Sequence, residues 1–242
     1  MQLKTLTFHG PLMLAALLTP SVATAEDHQP WRLQQALHLP QSLILSGTHR
    51  TRYETLSSQF RATRNGSDQV LVTRTTLLAA LQRGRFTVGA ELMDSRAALD
   101  DVGTPISTGI VNSGELLQAY VHLRGEDHFS PGSRTDLRIG RITMDVGSRR
   151  FVARNRYRNT INAFTGIDWQ LQRAGGSQLR AFFLLPVNRK PNTPAKLRNN
   201  DFEFDEQDSE VIFWGLHYAA TLPSDDHGEL LYFGLNEDDS TG

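Results

Sequence analysis

Seven arginines, Arg138, Arg141, Arg149, Arg150, Arg154, Arg156 and Arg158, fall within twenty-one consecutive positions in which Asp145 is the only acid. A guanidinium group stays charged at any physiological pH and presents a planar fork of donors that grips a carboxylate through two parallel bonds. The chemistry open to such a cluster is recognition of an anion rather than the making or breaking of bonds. A second reading stands beside it, in which acids from elsewhere in the chain, such as Glu91 or Asp168, pair with these arginines and hold a loop in place. Of the 25 Lys+Arg residues only Lys4, Lys190 and Lys196 are lysine. That ratio favours rigid forks over mobile ammonium groups, although a codon bias toward arginine would produce it as well.

Nothing else in the chain points to catalysis. No HExxH, GxSxG, phosphate loop or dinucleotide fingerprint is present, and the adjacent pair in His128-Phe129-Ser130 supplies no geometry for a nucleophile and its base. With Cys 0, disulfides, thiolate nucleophiles and cysteine-ligated metals drop out. Asp100-Asp101, Asp201 to Asp208 and Asp225-Asp226 read as solvated acidic loops, where weak calcium binding is the only metal chemistry on offer. The expectation is a protein that is not an enzyme, with no catalytic residue, resident metal or cofactor. A formal net charge of -1 gives no field that would steer the molecule to nucleic acid.

The elements that must position the arginines are strands. From Leu43 onward apolar residues alternate with polar ones over stretches of strand length. Leu43, Leu45, Gly47, Thr51 and Tyr53 share one face, with Ser46, Thr48, Arg50, Arg52 and Glu54 on the other. Leu71, Thr73, Thr75, Leu77, Ala79 and Leu81 oppose Val72, Arg74 and Thr76. The same alternation places Phe86, Val88, Ala90 and Leu92 in one row, then Leu117, Ala119, Val121 and Leu123, then Leu137 and Ile139. It continues with Ile167, Trp169 and Leu171, with Leu179, Ala181, Phe183 and Leu185 opposite Arg180, with Ile212, Trp214, Leu216, Tyr218 and Ala220, and with Leu231, Phe233 and Leu235. Nine or ten strands result, and the connections between them loosely alternate short, as at Gln82-Arg83-Gly84, and long, as from Ser95 to Gly114 or from Pro186 to Asp208.

Strands with one apolar face build either a soluble sandwich or barrel with that face inward, or a membrane barrel with it toward lipid. Charges recur strand after strand on the opposite face (Arg50, Arg52, Glu54, Arg74, Arg85, Glu91, Arg124, Arg138, Arg180), aromatics sit near strand ends, and the first segment has the layout of a secretory signal peptide. Residues 1–25 carry Lys4, an apolar stretch from Pro11 to Leu18, the helix breaker Pro20, and small residues at Ala23 and Ala25 for cleavage after Ala25. The expected fold class is therefore all-β, an antiparallel transmembrane β-barrel or the N-terminal part of one, over residues 26–242 after a cleaved signal peptide. The alternative is a soluble periplasmic β-barrel or β-sandwich that binds a ligand. Beyond the N-terminal segment no apolar run approaches the roughly 20 residues a membrane helix needs.

Leu137 to Trp169 reads LRIGRITMDVGSRRFVARNRYRNTINAFTGIDW. This segment resembles the central motif of the alginate export family of outer-membrane β-barrels, its places held here by Gly140-Arg141, Gly147-Ser148, Arg150, Arg158-Asn159 and Phe164-Thr165-Gly166. The match departs at Ile142, where the family commonly has Gln, and at Thr165, where it commonly has Asp, so that a carboxylate able to pair with the local arginines is missing. The resemblance implies a bacterial outer-membrane, porin-like channel for passive diffusion or export of anionic saccharides such as alginate. It implies as partners the anionic polysaccharide or oligosaccharide, outer-membrane lipid and periplasmic export components. Joined to the arginine pattern, it makes Arg138, Arg141, Arg150, Arg158, Asn159, Arg50, Arg52, Arg74 and Arg180 the candidate substrate-binding residues of an Arg-lined, anion-selective lumen. Family members have more strands than these, and the chain stops in a polar loop, so a barrel domain incomplete at its C-terminus is expected.

Overall fold

The computed structural model describes residues 33–57, 68–101, 104–221 and 226–237. The signal peptide expected over residues 1–25 lies outside them. Among the described residues ten strands are formed: β1 (Leu43–Leu56), β2 (Asp68–Arg83), β3 (Phe86–Ala98), β4 (Asn112–Glu126), β5 (Arg134–Ile142), β6 (Phe164–Gln172), β7 (Gln178–Asn188), β8 (Glu206–Gln207), β9 (Val211–Thr221) and β10 (His227–Glu237). Two short helices accompany them, α1 (Leu33–Ala36) and α2 (Pro194–Arg198). The strands make one antiparallel sheet in the order β1-β2-β3-β4-β5-β6-β7-β9-β10, with β8 paired to β7. Each long strand lies beside its predecessor, so the connections fall alternately at the two ends of the sheet. Those after β2, β4, β6 and β9 are short and those after β3, β5 and β7 are long, the asymmetry of an outer-membrane barrel. No pairing joins β1 to β10 among the described residues, and the barrel-type sheet is open there.

Burial assigns the faces. On β3, Phe86, Val88, Ala90 and Leu92 are exposed while Gly89, Glu91, Met93, Ser95 and Ala97 are buried. The pattern repeats across the sheet, for Leu77, Leu81, Val121, Ile139, Ile167, Phe183 and Leu216 are all exposed, while Asp168, Arg180 and His217 are buried. The outer face of the sheet is apolar and the inner face carries buried charge, the reverse of a soluble barrel. This arrangement matches the rows read from the sequence at most strands.

Two rows need correction. Leu117 belongs to the inner face, because the register between β3 and β4 slips between Glu91 and Leu92; the extra residue of this bulge turns Leu117 inward against Met93, Ile161 and Ala163, and Leu116 pairs with Leu92 in its place. On β10, Leu231 pairs with His217 and Phe233 with Gly215, and both pack against the inner cluster of Ile142, Met144, Val146, Val152, Phe182 and Leu184. Leu230 and Tyr232 are the outward residues of that strand.

The inner face is covered by the long connections. Residues 143–163, between β5 and β6, lay Met144, Val146 and Val152 on one part of it and Ile161 and Ala163 on another. The β3–β4 connection and α2 add Val111 and Leu197 against Val70, Val72 and Ala97. Apolar contacts thus fasten polar segments inside, and the arginines ride on those segments or face them.

Candidate functional site

Gly140 of β5 stands opposite Gly166 of β6, and both have positive φ, 125° and 154°. A side chain at Gly140 would run into the Ala119 carbonyl, so only glycine permits this close approach and the bend it makes. Beyond the bend Arg141 sends its guanidinium to Glu115 (2.7 Å) and toward Asp205 (3.8 Å). Arg141 faces Thr165 across the strands, the position where the resemblance led one to look for Asp. The carboxylates come instead from β4 and from the β7–β9 connection. Asp205 in turn accepts from Asn112 Nδ2 and from the Lys190 N–H, and burial raises its carboxyl above the ordinary range against the pull of these donors and of Arg141.

Arg138 and Arg180 share one acid. Asp168, fully buried, receives Arg138 Nη2 at 2.6 Å and Arg180 Nε at 2.6 Å. Arg180 also donates to the Asp145 carbonyl, fixing the start of the inward segment to β7. Arg154 reaches Glu91 of β3 at 2.5 Å, and its backbone N–H donates to Asp145 Oδ1 at 2.7 Å.

Arg50, Arg52 and Arg74 bind backbone. Arg50 donates to the carbonyls of Arg156 (2.6 Å) and Arg158 (2.9 Å), Arg52 to that of Tyr157 (2.8 Å), and Arg74 to that of Arg158 (3.1 Å). Arg52 also pairs with Glu54 and lies over the Tyr157 ring, 5.2 Å from its centroid. Asn159, 1% exposed, donates to the carbonyls of Thr73 and Ile110 at 2.9 and 2.8 Å. These contacts consume carbonyl acceptors and hold residues 155–159 against β1 and β2, so that Arg50 and Arg74, unlike Arg52, spend their hydrogen bonds on neutral groups rather than on a carboxylate.

A cavity of ≈ 570 Å³ lies between this segment and the first strands, lined by Arg50, Arg74, Arg154, Arg156, Gln118 and the single acid Glu91 among others. The Nε groups of Arg50 and Arg74 are buried and have no acceptor among the described residues. Arg156 and Arg158 are exposed, and their guanidinium groups have no hydrogen bond or ion pair among the described residues. Arg189, at the end of β7, bonds Asn162; burial and then the nearby Arg158 charge hold its guanidinium below the ordinary arginine value. Such a concentration of donors and positive charge can hold carboxylates.

The structure brings together Arg50, Arg52, Arg74, Arg158 and Asn159 from the sequence-derived set and adds Arg154, Arg156 and Arg189. Arg154 and Arg156 belong to the local arginine run, whereas Arg189 is isolated in sequence and carries no signal. Arg150 stands elsewhere: the Ser148 N–H donates to Glu229 of β10 at 3.0 Å and the Phe151 ring is 6.1 Å from Phe233, which places this turn beside β10. Its side chain is exposed and has no partner among the described residues. Two of the acidic loops make contacts within the chain, Asp100 with Arg198, Glu203 with Lys196 and Asp208 with Asn188; Asp225 of the third lies outside the described residues. His128 and Ser130 sit on the β4–β5 connection without a bond between their side chains.

Compared with known proteins, residues 41–241 match the family described as alginate export. No curated protein and no solved structure matches the chain.

Proposed function

Because the chain belongs to the alginate export family, and so to transport of an alginate-like polysaccharide, we propose that it works in the bacterial outer membrane as a porin-like path through which anionic saccharides diffuse along an arginine-lined lumen. The observation that carries this reading is the inversion of faces: large apolar side chains stand exposed on the outside of the sheet, while the inside holds the arginine-rich cavity. A uronate polymer presents one carboxylate per sugar, and guanidinium groups fixed along a path can pass these from one to the next, provided that each hold is weak enough to release. Arg156 and Arg158 are the first contacts, with Arg50, Arg74 and Arg189 behind them. Arg138, Arg141 and Arg180 act as positioning residues through Asp168, Glu115 and Asp205. Secretion with removal of residues 1–25 belongs to the same reading.

The experiment is reversal-potential measurement in planar bilayers across a KCl gradient, with and without oligouronate on one side. The parent should favour chloride and show current block by the oligomer; Arg156→Glu combined with Arg158→Glu should shift preference toward potassium and abolish the block. An unchanged ion preference in a folded double variant would reduce these arginines to structural ties. Recovery of the mature chain in the osmotic-shock fraction would favour the soluble ligand-binding alternative.

A further inference from the structure

The β4–β5 connection carries more structure than a short turn requires. Its backbone is closed by Asp127 N–H to the Ser133 carbonyl (2.8 Å) and by Gly132 N–H to Asp127 Oδ1 (2.6 Å), while Ser133 Oγ accepts from the N–H groups of Phe129 and Ser130. This brace folds residues 128 and 129 back over the outer face of the sheet. The His128 ring covers Gly125, where even a methyl group would collide with it and with Thr135 Oγ1. Phe129 meets Trp169 of β6 edge to face, with centroids 5.8 Å apart.

Between this flap and the strands lies a cleft of ≈ 340 Å³. Its floor is Leu123, Leu137 and Trp169, three members of the outward apolar row. At its mouth stand Arg85, Arg124 and His128, and no carboxylate lines it. Arg124 is tied weakly to Asp136 on the inner side, at 3.4 Å; the Arg85 side chain has no hydrogen bond or ion pair among the described residues. An apolar slot that opens along the outer face and ends under guanidinium and imidazole donors at the short-turn end fits an amphiphile with an anionic head and a hydrocarbon tail. We propose that this cleft holds one anionic phospholipid of the leaflet at the short-turn end, its phosphate on Arg85 and His128 and one acyl chain against Leu123, Leu137 and Trp169.

The proposal rests on the membrane-spanning reading above, and the test separates the two. With Trp31 and Trp214 replaced by Phe, Trp169 is the sole tryptophan. The full chain is folded into phosphatidylcholine nanodiscs containing increasing fractions of phosphatidylglycerol brominated on its acyl chains, and in parallel brominated phosphatidylcholine. Trp169 emission should be half-quenched at a fraction of the anionic lipid roughly fivefold lower than of the zwitterionic one, on the scale of one basic contact at a membrane surface. Arg85→Gln with His128→Gln should bring the two curves together, Arg85→Lys should keep them apart, and Gly125→Ala, which displaces the His128 ring, should narrow the gap. Coincident curves in the parent would overturn the lipid site and leave an ordinary lipid boundary. Absence of quenching by either lipid, in protein whose circular dichroism shows the β-sheet, would overturn the membrane-spanning reading and the lipid site with it.

Discussion

Asp168 shows how the inner face uses charge. One carboxylate with no solvent exposure serves two guanidinium groups, Arg138 from β5 and Arg180 from β7, and the pair of arginines keeps a net positive charge that the single acid cannot cancel. Removing the acid leaves the buried Arg180 and the half-buried Arg138 without a carboxylate, which costs about 3–5 kcal/mol when a buried pair is broken from one side. Asp168→Asn should therefore lower unfolding stability in lipid or detergent by that amount, whereas Arg150→Gln should stay within about 0.5 kcal/mol, as a surface change with no partner to lose; urea titration followed by tryptophan fluorescence compares the two. Asn159 presents the neutral version. Its amide donates to Thr73 and Ile110 carbonyls inside the protein, so Asn159→Ala strands buried acceptors and should cost about 1–3 kcal/mol in the same titration. The arginines were legible in the sequence from type and density alone. Most of their partners were not, because Glu115 and Asp205 come from segments far from Arg141 and only the strand register brings them to it. Glu91 and Asp168 were readable as candidate partners, since both fall on the polar face of strands flanking the run.

Strands were read correctly wherever one face is apolar and the other polar, since a period of two then fixes which way each side chain points. The reading failed at Leu117, where one extra residue in β4 reverses parity, and on β10, where Leu230, Leu231, Tyr232 and Phe233 are apolar on both faces and alternation carries no information. The inward course of residues 143–163 was legible only as a segment too polar for an outward strand; its apolar anchors Met144, Val146 and Val152 are too sparse to show a period. On the proposed membrane-spanning reading, the outward rows make a demand that soluble sheets do not. Leu77→Arg or Phe183→Arg should cost about 2–4 kcal/mol near the bilayer midplane, measured by reversible unfolding from vesicles, and Arg85→Gln at the rim should cost far less; equal tolerance would mean that the outer face does not meet lipid. The β7–β9 connection has its own sensitivity to acid. Burial raises the Asp205 carboxyl, so its contribution is fully present below the ordinary carboxylate range and is lost as pH rises through the raised native value. Intrinsic-rate-corrected amide exchange in residues 189–205 should accordingly slow as pH falls from about 7 toward the carboxylate range, and Asp205→Asn should flatten that slope.

Across the molecule, residues 143–163 are tied to strands that are far apart in the sheet order. At one side Arg50 of β1 and Arg74 of β2 hold the carbonyls of Arg156 and Arg158, and Glu91 of β3 holds Arg154. At the other, Glu229 of β10 accepts from the Ser148 N–H and Phe233 of β10 meets Phe151. The two ends of the sheet, which share no backbone pairing among the described residues, are thus joined through the interior by one segment that starts and finishes in the middle of the strand order. A brace of this kind sets the span between β1 and β10, so the element that presents Arg156 and Arg158 also fixes the frame around them. Edge strands held only by one ladder open more easily than central ones. Replacing residues 149–157 with a Gly-Ser linker of equal length removes the Arg154 tie to Glu91 of β3, the Tyr157 ring beneath Arg52 of β1 and the Phe151 contact to β10, and loosens the backbone whose carbonyls Arg50 and Arg74 hold, while leaving every strand residue in place. Amide exchange measured by mass spectrometry on the folded protein should then rise in β1 and β10, and remain near the parent value in β5 and β6. A uniform rise across all strands would indicate that the segment contributes general packing only, and no change would show that the sheet ends are held by something other than the brace.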